Sequence, residues 1–192
     1  MKKILIFITI FFSIFAAVNA DDIKRIVVGN QDAKISIIAF ESLTCSHCAN
    51  FHKDVYPQLK KEYLDTGLAK IEFRHFPLDI AAFNASKVSQ CKNDGDSLIL
   101  NSLFANQQKW VKGSSAQEFN TNLKNFLISE GFELDFEKCI NNKEIEDFVL
   151  NDRIDGVKNF EVNATPTIII NNEKFEKTLN YKNLKKALEK LI

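Results

Sequence analysis

Two cysteines three positions apart, Cys45 and Cys48, stand at the junction between a predicted strand and a predicted helix. Residues 34–41 are rich in β-branched and apolar side chains, which favours a strand. Over residues 51–63 every fourth residue is apolar, which predicts an amphipathic helix. Such a junction puts Cys45 at a helix N-terminus, where free backbone amides and the helix dipole lower the pKa of a thiol. The thiolate is the form that attacks disulfides, so the pattern predicts a redox pair in which Cys48 resolves the mixed disulfide.

The order of the predicted elements is that of a mixed α/β unit interrupted by helices. Strands are predicted over 25–28, 34–41, 69–76, 167–170 and 173–177, and helices over 46–65, over several segments of 78–160, and over 181–192. This order predicts an α/β protein with a thioredoxin-like fold and a helical insertion domain. Residues 21–77 and 161–192 are expected to form the thioredoxin-like domain, and residues 78–160 the inserted helical domain.

The N-terminus has the three parts of a secretory signal peptide. Lys2 and Lys3 form a basic start, residues 4–18 are almost wholly apolar, and Ala20 ends a stretch that suits a cleavage site. The alternative is an uncleaved membrane anchor, but the apolar run is shorter than the ~20 residues that a membrane-spanning helix needs. We therefore expect residues 1–20 to be removed and the protein to be exported to the periplasm.

The charge of the chain does not point to a nucleic-acid partner. The sequence has 25 basic and 25 acidic residues, so removal of Lys2 and Lys3 leaves a slight acidic excess. A nucleic-acid-binding protein would instead carry a basic patch or stripe. We expect no nucleic acid among the partners.

Two other interpretations of the cysteine pair are weaker. A structural zinc site needs four protein ligands, and beyond Cys45, Cys48 and His52 the sequence offers no second Cys-x-x-Cys to complete one. We therefore expect no metal. An inert structural disulfide is the second alternative.

The downstream pair Thr165-Pro166, which opens a β-branched segment, is by itself an ordinary proline at the start of a strand.

Together, residues 42–52 and 165–167 resemble the DsbA family of periplasmic disulfide oxidoreductases. The residues that carry the resemblance are Ser42-Leu43-Thr44-Cys45-Ser46-His47-Cys48-Ala49-Asn50-Phe51-His52 and Thr165-Pro166-Thr167. The resemblance implies a cis peptide bond before Pro166, which would pack beside the two cysteines. It also implies that the backbone of Thr165 binds substrate peptide in a short β-like pairing.

The resemblance implies an activity as well. The chain would be a protein thiol:disulfide oxidoreductase, most simply an oxidase that donates its Cys45–Cys48 disulfide to unfolded exported polypeptides. A membrane protein of the DsbB type would reoxidise it, and the protein would be a monomer. Because the chemistry resides in its own thiols, no cofactor is expected.

The active-site segment departs from the family pattern at two positions. Ser46 stands where the family usually has proline, beside His47, which can stabilise a neighbouring thiolate. Ala39 stands where many members carry a buried acid. Glu41 lies two residues further on, and strand alternation directs it to the same face. We hypothesise that Glu41 is the proton acceptor near Cys48, the alternative being a solvated glutamate at the strand end.

The remaining cysteines, Cys91 and Cys139, fall in two different predicted helices. An even number of cysteines in an exported protein favours a structural disulfide, and some DsbA relatives carry a second one. Two separate buried thiols are the alternative. A disulfide here would close a loop of about 49 residues and stabilise the fold by about 3–4 kcal/mol.

Alternative functions remain open from the sequence. A reductase or isomerase is one, since threonine before the cis-proline occurs in isomerase-type relatives. A non-catalytic chaperone on the same scaffold is another, although intact Cys45 and Cys48 argue against it.

His52 is interpreted as a surface histidine, and His75 as a structural residue whose hydrogen bonds are satisfied.

Overall fold

The structure, a computed structural model, describes residues 23–192. The predicted signal segment, residues 1–20, lies outside the described residues. Within residues 23–192, no helix combines the length and the apolar character needed to cross a membrane.

One mixed sheet organises the described part of the chain, with the strand order β1–β3–β2–β4–β5. Strand β2 pairs in parallel with β3, whereas the β1–β3, β2–β4 and β4–β5 pairs are antiparallel. The parallel β2–β3 pair requires a crossover, which the first helices after β2 supply. The strands are β1 Ile26–Gly29, β2 Ile35–Glu41, β3 Ala69–His75, β4 Thr167–Ile170 and β5 Glu173–Lys174.

The central strand β2 is buried on both faces. Ile37 and Ala39 contribute to the larger apolar core, and Ile38 and Phe40 to a smaller core on the opposite face. Alternation along the strand therefore directs Glu41, its last residue, to the face of the larger core. A carboxyl group thus enters an apolar environment beside the end of the strand.

A run of helical turns, which we call the redox helix, follows β2 and packs Phe51, Val55 and Leu59 into the larger core. Pro57 lies in the first turn of its second α-helical segment. Because proline lacks the N–H that continues an α-helix, the turn before it, Phe51–Val55, widens to π geometry. The run comprises α1 Ser46–Asn50, a π turn Phe51–Val55, α2 Tyr56–Leu59 and a second π turn Lys60–Leu64.

The residues between β3 and β4 are helical and build a layer beside the sheet. Trp110 is fully buried there, and its indole N–H donates to the Leu103 carbonyl at 2.9 Å. The amphipathic helix α9, Tyr181–Leu188, ends the fold and buries Leu184 and Leu188. The helices of the layer are α3 Ile80–Gln90, α4 Leu98–Ala105, α5 Gln107–Trp110, α6 Ala116–Ser129, α7 Phe136–Ile140 and α8 Lys143–Phe160.

Candidate active site

The two cysteines occupy the start of the redox helix. Cys45 is the N-cap residue of α1, with extended backbone, and its carbonyl accepts a hydrogen bond from the Ala49 N–H at 3.2 Å. Cys45 is partly exposed, whereas Cys48 is completely buried. Both are free thiols. A partner molecule can therefore reach the sulfur of Cys45 but not that of Cys48.

The surroundings of Cys45 stabilise its thiolate. The hydrogen bond from the Cys48 thiol is the largest of the effects that lower the pKa of Cys45, from 9.0 to about 5. Backbone N–H groups of His47 and Cys48 act in the same direction, while partial burial opposes them. These amides are the unpaired donors that every helix N-terminus presents. The lowered pKa favours the thiolate form of Cys45 at neutral pH.

Cys48 is shifted in the opposite direction. Burial is the main cause that raises its pKa, and the hydrogen bond to Cys45 and the charge of Glu41 raise it further. A thiol in this position keeps its proton at neutral pH. The two cysteines thus differ strongly in exposure and in pKa: Cys45 is partly exposed and favours the thiolate, whereas Cys48 is a buried thiol.

The loop before β4 lies against Cys45, 120 residues distant in sequence. Sγ of Cys45 lies 3.3 Å from the Thr165 carbonyl oxygen, to which the thiol donates when it is protonated, and the Thr165–Pro166 peptide bond is cis. The fold therefore brings together the two segments, 42–52 and 165–167, that carried the resemblance in the sequence.

Two clefts flank the exposed end of the redox helix. The first, which we call the Pro166 cleft, has a volume of about 490 Å³ and is lined by His47, Phe51, Thr165, Pro166, Leu179 and Tyr181, among others. The second, which we call the Phe104 cleft, has a volume of about 850 Å³ and is lined by Ser46, His52, Tyr56, Asn101, Phe104 and Gln107, among others. His47 and Ser46 are both exposed. His47 lines the Pro166 cleft, and Ser46 lines the Phe104 cleft.

Glu41 is buried rather than solvated. Its Oε2 lies 2.8 Å from Nε2 of His52, and the two side chains are 3% and 5% exposed. Burial raises the pKa of the Glu41 carboxyl, and His52 partly offsets this by its charge and hydrogen bond. The interpretation of His52 as a surface histidine is therefore wrong. The π turn at this point of the helix directs its ring inwards, towards the end of β2.

No motif or spacing in the sequence indicates a role for Gln107. Its side-chain amide donates to the Leu43 carbonyl at 2.8 Å and to the Cys45 carbonyl at 3.0 Å. Gln107 begins α5, so these bonds tie the helical layer to the loop between β2 and α1, which we call the Cys45 loop. A contact over more than 60 residues, from a residue type common on surfaces, leaves no signal in a single sequence.

A second tether lies on the other side of the loop. Thr44 Oγ1 donates to Asp79 Oδ2 at 2.7 Å, while Asp79 Oδ1 accepts from the Ala82 N–H and caps helix α3. One carboxylate thus serves both the helix start and the residue before Cys45.

Cys91 and Cys139 form a disulfide that joins the end of α3 to α7, with their Cα atoms 5.4 Å apart. Cys139 is fully buried. The pair has a sequence separation of 48 residues and lies within the helical layer. The two free cysteines are therefore Cys45 and Cys48.

His75 also differs from its interpretation. Its backbone N–H donates to Asp152 at 3.0 Å, but the ring Nε2 is buried without a hydrogen-bond partner in the described chain. Burial and the nearby charge of Arg25 lower the pKa of His75 to about 3. The imidazole of His75 is therefore neutral at neutral pH.

Within residues 23–192, no group of three or more histidine, cysteine or acidic side chains has a geometry suited to a metal ion. The groups that converge on the site are the two thiols, the Glu41–His52 pair and the Thr165 carbonyl.

Solved structures resemble this fold over almost its full length. The alpha-DsbA1 protein of Wolbachia pipientis matches with a TM-score of 0.77 and 29% sequence identity, covering 87% of this chain and 90% of that one. BdbD of Bacillus subtilis, in its oxidised form, matches with a TM-score of 0.68 and 25% identity, covering 87% and 92% respectively.

The sequence comparisons agree. Disulfide bond formation protein D of Bacillus subtilis is 28% identical over 179 residues, covering 85% of this chain and 75% of its own length. Five Rickettsia proteins are 25–27% identical, and the chain spans 54–66% of their length. The sequence profile of the thioredoxin family matches residues 21–190. These matches confirm the predicted thioredoxin-like fold with its helical insertion. The chain belongs to the thioredoxin family and, within it, to the DsbA-like proteins.

Proposed function

We propose that this protein is a thiol:disulfide oxidoreductase that acts as an oxidase and donates its Cys45–Cys48 disulfide to polypeptides. The observation that carries the proposal is the asymmetry of the two thiols. Cys45 is partly exposed and has its pKa lowered to about 5, whereas Cys48 is buried and has its pKa raised. A stabilised Cys45 thiolate favours the dithiol form and is a good leaving group, so the disulfide is oxidising.

The reaction begins in the disulfide form. A substrate thiolate attacks Sγ of Cys45, the Cys45–Cys48 bond breaks, and Cys48 leaves as a thiolate that takes up a proton. A second substrate thiolate then attacks the substrate sulfur of the mixed disulfide and expels the Cys45 thiolate. Two electrons pass from the substrate dithiol to the cysteine pair, and the substrate gains one disulfide.

The proposal extends to partners and location. The Thr165 carbonyl, beside Cys45 at the edge of the Pro166 cleft, suits the backbone pairing of an extended, unfolded polypeptide. We infer that residues 1–20 export the chain to the periplasm, where a DsbB-like membrane protein reoxidises the monomer. We also propose that residues 21–77 and 161–192 form the redox domain and that residues 78–160 are inserted in it.

The remaining site residues have supporting roles in this proposal. His47 and Ser46, exposed between the two cysteines, border the surface that a substrate approaches. Glu41 exchanges a proton with Cys48, which fits its burial and the effect of its charge on the Cys48 pKa. The Cys91–Cys139 disulfide is structural.

The test is a set of three assays with the mature chain: oxidation of a dithiol peptide, reduction of insulin, and isomerisation of a scrambled disulfide substrate. We expect fast peptide oxidation, loss of that activity in Cys45→Ser, and its retention in the Cys91→Ala/Cys139→Ala double variant. Equilibration with glutathione gives the redox potential. A potential near that of thioredoxin, about −270 mV, with insulin reduction as the fastest activity, would identify a reductase instead.

A further inference from the structure

The pair formed by Glu41 and His52 joins the end of β2 to the redox helix. The two side chains lie 2.8 Å apart and are almost completely buried. The ring of His52 is held in place by Phe104 of α4, which stacks on it at a centroid distance of 4.1 Å, and by Phe73 of β3 at 5.3 Å. The imidazole therefore has one orientation, with Nε2 towards the carboxyl group.

The other ring nitrogen, Nδ1, is buried, and His52 is one of the residues that line the Phe104 cleft. Nδ1 of His52 has no hydrogen-bond partner within residues 23–192, and neither have Tyr56 Oη and Asn101 Oδ1. All three residues line the Phe104 cleft. Buried polar atoms are normally bonded to protein or to water, so three such atoms in residues that line one cleft are sites where water entering from the cleft can bind beside the imidazole.

The redox reaction requires such a route. Whenever the disulfide is reduced, the buried Cys48 must gain a proton, and whenever it is reformed, Cys48 must lose one. Cys48 is 0% exposed, so solvent does not reach its sulfur directly. Glu41 acts on Cys48 through its charge, but Glu41 is itself 4% exposed and has to be reprotonated between turnovers.

We propose that His52 is the positioning residue that carries protons between Glu41 and the Phe104 cleft. The inference rests on the oxidase function proposed above and on Glu41 as the partner of Cys48. Nε2 of His52 exchanges the proton with Oε2 of Glu41, and Nδ1 exchanges it with solvent in the cleft. The imidazole suits this role because it binds a proton at either nitrogen.

The steps balance as follows. When substrate thiolate attacks Cys45, Cys48 leaves as a thiolate and takes the proton of the Glu41 carboxyl. The carboxylate of Glu41 then takes a proton from Nε2 of His52, and Nδ1 takes one from solvent. In reoxidation the same proton moves in reverse, from Cys48 to Glu41 and out through His52.

Several other titratable groups face this pair. Burial is the main cause that raises the pKa of both Glu41 and Tyr56, and the charge of Cys45 adds to it at Glu41, as the charge of Glu41 does at Tyr56. His75 is the neighbour of Glu41 across the β2–β3 pair. The pH dependence of the reaction must therefore be assigned by substitution rather than from a single titration curve.

The experiment is a double-mutant cycle in single-turnover oxidation of a dithiol peptide, measured between about pH 4 and pH 9. The variants are His52→Gln, Glu41→Gln and the double variant, with Lys61→Gln, an exposed position on the same helix, as control. Glutamine keeps a hydrogen-bond donor near Glu41 but cannot transfer a proton in this pH range. Since general acid–base groups contribute about 10²–10⁴-fold, we expect His52→Gln to slow the reaction by about tenfold or more and to change its pH profile.

If the two residues act in one relay, the double variant is no slower than Glu41→Gln alone. A further variant, His52→Ala, tests chemical rescue: imidazole in solution should restore its rate but not that of Glu41→Gln. Additive losses, or an unchanged profile in His52→Gln while wild type oxidises the peptide normally, would overturn the inference and leave the proposed function intact. Failure of wild type to oxidise the peptide would refute the function itself. Should His52→Ala not fold, the pH profile of His52→Gln decides, since a profile equal to that of wild type excludes the relay.

Discussion

The side-chain amide of Gln107 lies 3.0 Å from the carbonyl oxygen of Cys45 and donates a hydrogen bond to it. The second proton of the same amide goes to the carbonyl of Leu43 at 2.8 Å. One side chain at the start of α5 thus fixes two carbonyls of the loop that presents the reactive sulfur. The helical layer is therefore part of the active-site architecture and does more than cover the sheet.

We predict that Gln107→Ala weakens this arrangement. Two hydrogen bonds at about 0.5–1.5 kcal/mol each are lost, so the free energy of unfolding should fall by about 1–3 kcal/mol. Peptide oxidation should slow because the Cys45 loop is less well held. Gln108→Ala, at an exposed position one residue further on, is the matched control. Urea unfolding of the two variants provides the comparison, and equal stabilities would refute the tether.

The titration of Cys45 yields a second prediction. In the reduced protein, thiolate absorbance near 240 nm should show a midpoint at about pH 5. Because the Cys48 thiol is the largest cause of the lowered pKa, Cys48→Ala should raise this midpoint. Cys48→Ser, which keeps a donor, should raise it less. Identical midpoints in all three proteins would mean that the helix amides alone stabilise the thiolate.

The same shift predicts how the stability of the reduced protein depends on pH. The pKa of Cys45 is lowered on folding, from 9.0 to about 5, so its thiolate stabilises the folded chain fully above about pH 9. This contribution is lost as the pH falls towards 5. Reduced wild type should therefore gain stability over Cys45→Ala between pH 5 and pH 9. Urea unfolding under reducing conditions measures the difference, and a gain that grows with falling pH would contradict the prediction.

The fold was largely predictable because its signals are local. The β-branched run of β4 and the four-residue period after Cys48 each specify one element, and alternation along β2 correctly directed Glu41 to the core face. The partners of these residues were not predictable. The inward turn of His52 depends on a π turn, and the two bonds of Gln107 join positions more than 60 residues apart.

The disulfide between Cys91 and Cys139 provides a fourth prediction. It closes a loop with a sequence separation of 48 residues, for which the chain-entropy relation gives about 4 kcal/mol. The Cys91→Ala/Cys139→Ala variant should lose about 3–4 kcal/mol of unfolding free energy. It should keep its rate of peptide oxidation below its unfolding temperature, because neither sulfur belongs to the redox pair. A large loss of rate in a fully folded variant would show that the disulfide also shapes the active site.

The last prediction concerns acid stability and His75. Its pKa is about 3 in the folded chain, lowered by burial and by Arg25, against about 6.5 for an unperturbed histidine. The unfolded chain therefore binds this proton more readily, so His75 lowers stability as the pH falls from about 6.5 to about 3. At about 1.4 kcal/mol per pH unit, the loss amounts to about 4–5 kcal/mol. His75→Phe, which fills the site without a titrating group, should lose much less stability over this range, whereas His47→Gln, at an exposed histidine, should follow wild type. Urea unfolding at intervals from pH 7 to pH 3 tests this, and parallel curves for wild type and His75→Phe would show that His75 does not determine the acid sensitivity.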